Sequence, residues 1–181
     1  THRIAYLIEQ GIPPNNILAV TFTNKAANEM KGRVETLLVE KGATLKPMIG
    51  TFHSVCVRFL RTHIHSLGYE NSFVIYDTAD QDALIKQVIN DLGIDAKTYA
   101  PRAILSKISQ AKNHLVKPDE FTTQAHNQFM VATAQCYREY QKRLKLSQAL
   151  DFDDIIMKTI ELFKLYPEIL HTYQDRYQYI M

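Results

Sequence analysis

Ile17-Leu-Ala-Val-Thr21-Phe22-Thr23-Asn24-Lys25-Ala-Ala27 is a short apolar run, then a Thr-Phe pair, then a helix start. A nearly continuous apolar run of this length is the pattern of a parallel strand buried on both faces. The same order returns as Met48-Ile-Gly-Thr51-Phe52-His53-Ser54, and the two Thr-Phe pairs stand 30 residues apart, the length of one strand-helix-strand crossover. Ligands of open parallel sheets lie beyond the carboxyl ends of their strands, so both pairs are expected at one working edge.

Outward from these two runs, the spacing predicts a helix over Arg3 to Gln10 carrying Ile4, Leu7 and Ile8, ended by Gly11-Ile-Pro-Pro-Asn15. Strands are expected over Ile17 to Phe22 and Pro47 to Phe52. The helix between them turns Ala26, Met30, Val34 and Leu38 inward, with Ala27 and Leu37 beside them and Gly42 as its stop. After Phe52 a helix capped by Ser54 buries Val55, Cys56, Phe59, Leu60 and Ile64. Phe73 to Asp77 reads as a strand or extended connector. Beyond it the pattern turns wholly helical: Asp77 or Thr78 caps a helix closed by Gly93, Pro101 opens a second, Pro118 a third region, and Phe129, Ala132, Cys136, Tyr140 and Leu144 form a long amphipathic stripe. Asp151 can accept amides of a further helix that buries Ile155, Ile156, Ile160 and Phe163; another follows Pro167, and Tyr177 to Met181 is strand-like. A chain that stops inside a core strand is expected to be an excised or incomplete polypeptide.

With 181 residues and 46% apolar content the chain can build one large or two small domains. No apolar run approaches the roughly 20 residues of a membrane span and no secretory signal pattern opens the chain, so a cytoplasmic protein without membrane contact is expected. Cys56 and Cys136 read as reduced core thiols. The net charge of +2 is too small to announce nucleic acid. Residues 1–77 carry 8 Lys+Arg against 6 Asp+Glu, residues 78–145 carry 10 against 7, and residues 146–181 carry 3 against 6. The middle is mildly basic and the tail acidic, which on its own describes solvated faces.

An aromatic at a strand end, followed by hydroxyl and amide side chains and a helix N-terminus, suits a phosphate backbone with a base stacked nearby. The alternative is that Phe22 is core and Thr23 or Asn24 only caps the helix. Thr51, Phe52 and His53 repeat the arrangement, with His53 as a donor or switchable charge, and Arg58 and Arg61 on the next helix can reach phosphates or stay solvated. Asp151, Asp153 and Asp154 suggest a metal site only superficially. Adjacent helix positions diverge, so capping and surface charge are expected instead. His63 and His65 likewise point apart, which argues against zinc.

Taken together, Leu18-Ala-Val-Thr-Phe-Thr-Asn-Lys-Ala-Ala-Asn-Glu-Met30, Gly50-Thr-Phe-His-Ser54 and Leu150-Asp-Phe-Asp-Asp154 strongly resemble the UvrD/Rep/PcrA family of superfamily 1 DNA helicases, the PcrA branch most of all. The resemblance spans the chain. It implies an incomplete RecA-like α/β motor domain with an inserted all-helical subdomain: motor over 1–77, insertion over 78–146, and return to the motor over 147–181. It further implies that Thr21, Phe22, Thr23 and Asn24, then Thr51, Phe52 and His53, touch single-stranded DNA, and that Asp151, Phe152 and Asp154 form a structural or coupling motif. The insertion is where such proteins engage single/double-strand junctions. The parent protein is expected to be an ATP-dependent 3′-to-5′ helicase that uses ATP and Mg2+ in DNA repair or replication, alongside proteins of those processes. The phosphate-binding loop G-x-x-x-x-G-K-[ST] is absent from this sequence, and so is the family's magnesium-holding acidic motif. By similarity they fall just before Thr1 and just after Met181, so this piece alone is expected not to hydrolyse ATP. A helicase-nuclease subunit, or a non-catalytic DNA- or protein-binding module with a degenerate motor, are the alternatives.

Overall fold

The computed structural model describes residues 2–40 and 45–181. Gly42, expected to end a helix, lies outside the described residues. The chain divides into two compact units, Thr1–His63 with Thr159–Met181, and Ile64–Lys158.

In the first unit, α1 (His2–Glu9) leads to β1 (Ile17–Thr21), α2 (Asn24–Glu40), β2 (Met48–Thr51) and α3 (Phe52–His63). The sheet is parallel, in the order β2-β1-β5, with β5 (Tyr179–Ile180) joining β1 on the side away from β2. Alternation along β1 explains its apolar run. Ile17 and Ala19 pack with Ile4, Val34, Leu38 and Ile49 on one face, while Leu18 packs with Val55, Phe59 and Tyr177 on the other. The strand is buried on both faces, as its composition requires. Ala27 is buried at the start of α2, but Ala26 is exposed, so one small residue, not two, faces the sheet.

The second unit is mostly helical. It contains β3 (Val74–Ile75), α4 (Thr78–Asp91), α5 (Pro101–Asn113), α6 (Pro118–Gln124), α7 (Gln128–Leu146) and β4 (Ala149–Leu150). Asp77 caps α4 in a reciprocal box with Asp80, and Asn127 caps α7. Ile85, Val88, Ile89, Ile104, Ile108, Tyr137, Tyr140 and Leu144 share one core. Parallel pairing of Val74 with Ala149 and Ile75 with Leu150 ties the two ends of the helical block together.

α8 (Phe152–Leu165) and α9 (Pro167–Arg176) complete the order. Ile155 of α8 is buried as expected, but Ile156 is 36% exposed, because its neighbour in sequence lies about 100° around the helix. The mixed α/β class with parallel strands agrees with the sequence expectation.

Candidate nucleic-acid interface

Register places the two Thr-Phe pairs side by side. Thr21 is the partner of Thr51 across β1 and β2, so both strands end at the same level. Each threonine begins a turn into a helix. Thr21 Oγ1 donates to the Thr23 carbonyl (3.0 Å), and Thr23 Oγ1 accepts the Ala26 amide (3.2 Å), which makes Thr23 the cap of α2. On the second strand Thr51 itself is the cap, accepting the Ser54 amide at 3.2 Å. Ser54 lies inside α3, where its hydroxyl donates to the Thr51 carbonyl at 2.9 Å; the capping role expected of Ser54 belongs to Thr51.

The aromatics that follow are not core. Phe22 is 91% exposed and Phe52 is 43% exposed, with ring centroids 5.5 Å apart and planes tilted by 44°. Leaving a phenylalanine in water forgoes about 1.5–3 kcal/mol of burial free energy. Asn24 and Lys25 are exposed on the first turn of α2, and His53 is exposed on the first turn of α3. Two helix N-termini, of 17 and 12 residues, therefore meet the same edge as the two rings. Their positive dipole ends and spare amides favour anions. Arg58 and Arg61 are exposed further along α3, roughly 9 and 14 Å from Phe52 along the helix axis. Arg58 lines a cavity with Pro47 and Met48 at the opposite, amino end of β2, so it is not brought together with the aromatic pair.

The acidic motif lies in the second unit and is organised around a lysine. Lys112 Nζ is 2.7 Å from Asp151 Oδ2 and 3.0 Å from Asp154 Oδ1, with all three side chains at most 3% exposed. Asp151 Oδ1 accepts the Asp154 amide (2.8 Å), the Tyr140 hydroxyl donates to Asp151 Oδ2 (3.1 Å), and Gln141 Nε2 donates to both Asp154 oxygens (3.1 Å). Burial by itself disfavours the Lys112 ammonium, but Asp154 and Asp151 outweigh it and raise its pKa above the ordinary value. Burial likewise raises the pKa of Asp154, and Lys112 opposes it. The two aspartates do converge on one cation, contrary to the expectation of surface charge. Asp153 is half-buried and Phe152 is 45% exposed.

The family described as UvrD/REP helicase N-terminal domain matches residues 1–181. The chain belongs to that family. Its relatives include the ATP-dependent DNA helicases PcrA of Bacillus subtilis, 49% identical over 99% of this chain and 24% of the relative, and of Staphylococcus epidermidis, 46% identical over 99% and 25%. The PcrA of Leuconostoc citreum is 45% identical over 99% of this chain and 24% of its own length. The chain thus spans about a quarter of the length of the curated relatives it matches.

Within this UvrD/REP helicase N-terminal domain, Lys112, Tyr140 and Gln141 are the residues the sequence reading missed. One signal was available for the lysine: Ile104, Ile108, Ala111 and Lys112 follow the i, i+4, i+7, i+8 rhythm of a buried helix face. A lysine in an apolar stripe needs an anionic partner.

Proposed function

We propose that the chain is the part of an ATP-dependent 3′-to-5′ DNA helicase that grips single-stranded DNA, through Phe22 and Phe52 against bases and Thr21, Thr23, Asn24, Thr51 and His53 near the backbone. The observation that carries this reading is the exposed Phe22–Phe52 pair at the carboxyl ends of two adjacent parallel strands. Every base has a stacking face, so such a pair holds a strand whatever its sequence. The family membership and the PcrA relatives support a parent enzyme that is a cytoplasmic DNA helicase of repair or replication. The excess of basic residues over 78–145 supports an inserted subdomain, 78–146, that faces duplex DNA at a junction.

The residues present do not fit ATP with Mg2+. Asp151 and Asp154 are already committed to Lys112, and among the described residues no group of three or more His, Cys, Asp or Glu can hold a metal ion. The hydrolytic chemistry is therefore assigned to the parent enzyme and not to the side chains described.

Fluorescence anisotropy with a labelled oligothymidylate tests the DNA reading. Phe22→Ala should weaken binding by about 1–3 kcal/mol, a factor of roughly 5 to 150, with the thermal midpoint unchanged because the ring is exposed. Unchanged affinity in a folded Phe22→Ala variant would reject it.

A further inference from the structure

At the end of the first unit's sheet opposite the aromatic pair, a cavity of about 330 Å³ opens beside the amino ends of the strands. Asn15 precedes β1, Lys46 precedes β2, and Arg176 and Tyr177 precede β5; Lys31 of α2 and Arg58 of α3 also line it. Four of these six side chains are cationic. Glu35 is the lone acid among the described lining residues, and it is bound to Lys46 at 2.9 Å. The Lys46 ammonium beside it lowers the pKa of Glu35.

Two residues that line this cavity each carry a buried polar atom without a partner. The Tyr177 hydroxyl belongs to a residue only 4% exposed and has no hydrogen-bond partner, and the same is true of the buried Asn15 Oδ1. Buried polar atoms are nearly always satisfied, so each of these two needs an explanation, and a bound ion beside them is one. A phenol can donate to an anion, and a 180° turn of the Asn15 amide exchanges Oδ1 for a donor Nδ2. Packing holds the phenol in place: Tyr177 stacks on Tyr173 with ring planes 6° apart, and the Arg176 guanidinium lies 5.3 Å from the Tyr177 ring centroid.

We propose that this cavity is a binding site for a small, multiply charged phosphate anion of pyrophosphate size, held by Arg58, Arg176, Lys31 and Lys46 with the Tyr177 hydroxyl donating. The chemistry selects phosphate for three reasons. Guanidinium forks bind phosphate oxygens bidentately. Four cations set against one paired carboxylate leave an excess that a monocarboxylate cannot neutralise. A half-open cavity of about 330 Å³ has room for a diphosphate with its water. The site is separate from the DNA edge and does not depend on the helicase reading.

Calorimetric titration of the chain with sodium pyrophosphate in low-salt buffer tests the assignment. One pyrophosphate should bind per chain. Arg176→Gln should weaken it roughly tenfold, and Tyr177→Phe several-fold with a thermal midpoint equal to or above the parent's, since an unpartnered buried hydroxyl is removed. Glu35→Gln should tighten it by removing the one opposing charge. Absence of binding, or equal affinity in Arg176→Gln, overturns the proposal. So does citrate binding as tightly as pyrophosphate, which would reduce the site to non-specific charge. If oligothymidylate displaces pyrophosphate and Arg176→Gln loses DNA affinity in the same proportion, the cations belong to a nucleic-acid surface and the small-anion site is rejected, whether or not Phe22→Ala also weakens DNA.

Discussion

Lys112 is 1% exposed and carries its charge between two aspartates that are equally hidden from water. Replacing a buried pair wholesale with apolar groups is often harmless, but removing one partner strands the other charges. Lys112→Met keeps the volume and removes the cation, leaving the Asp151 carboxylate to the Tyr140 hydroxyl and the Asp154 carboxylate to the Gln141 amide among the described side-chain donors. Urea unfolding should show a loss of about 3–5 kcal/mol. The cluster also sets a pH dependence. Lys112 is held above the ordinary 10.5 by its two carboxylates despite burial, and burial, with the same carboxylates, holds Tyr137 and Tyr140 above the ordinary 10.0. All three keep their protons in the folded chain when the unfolded chain has released them. Their contribution is therefore complete below about pH 10 and lost as pH rises beyond it. Thermal midpoints followed from pH 8 to 11 should fall, and fall less steeply in Lys112→Met, where one of the three groups is gone. A parallel decline in parent and variant would show that the lysine takes no part. Burial also pushes the Cys136 thiol up to about 11, which keeps it in its unreactive form at neutral pH.

At the scale of elements, the turn from β2 into α3 leaves no room for a Cβ on Gly50 while the Ser54 hydroxyl keeps its place. A Cβ on Gly50 would overlap Ser54 Oγ, the hydroxyl that donates to the Thr51 carbonyl. Gly50→Ala must therefore expel that hydroxyl and disturb the turn that carries Phe52. We expect it to lose about 1–3 kcal/mol of stability, and the double variant Gly50→Ala/Ser54→Ala to recover most of that. Equal stability of single and double variants in urea would show that the clash lies elsewhere. Such local grammar is what the sequence displays well. The apolar run of β1, the cap of α4, which falls to Asp77 and not Thr78, and the stripe of α7 all depend on neighbours within a few residues, and each is found where its spacing puts it. Long-range pairing was less legible. Nothing near Val74 announces Ala149, and Lys112 meets Asp151 across a sequence separation of 39 residues. Phe22 was ambiguous for a related reason. An apolar residue at a strand end looks the same in sequence whether the fold covers it or leaves it bare. Its 91% exposure is a property of what surrounds it, and only the packed structure reveals that.

At the scale of the whole molecule, seven acids among the described residues are already engaged. Asp77 and Asp80 cap α4, Glu35 holds Lys46, Asp119 pairs with Arg138, Glu139 with Arg143, and Asp151 and Asp154 with Lys112. Hydrolysis of ATP needs the opposite: carboxylates left open to a metal ion and a glycine-rich loop whose amides and lysine hold the phosphates. The sequence contains no G-x-x-x-x-G-K-[ST] run, and the described acids include no cluster able to hold a metal. DNA contact and ATP turnover should therefore separate in this chain. With oligothymidylate, ATP and magnesium supplied, phosphate release should not rise above the buffer background, while anisotropy still reports binding that depends on Phe22. Asp151→Asn distinguishes a true activity from a contaminant. Release above background that survives further purification and falls in a folded Asp151→Asn variant would mean that the buried aspartates can leave Lys112 to serve a metal. Their placement within 3.0 Å of that ammonium, away from water, argues that they do not.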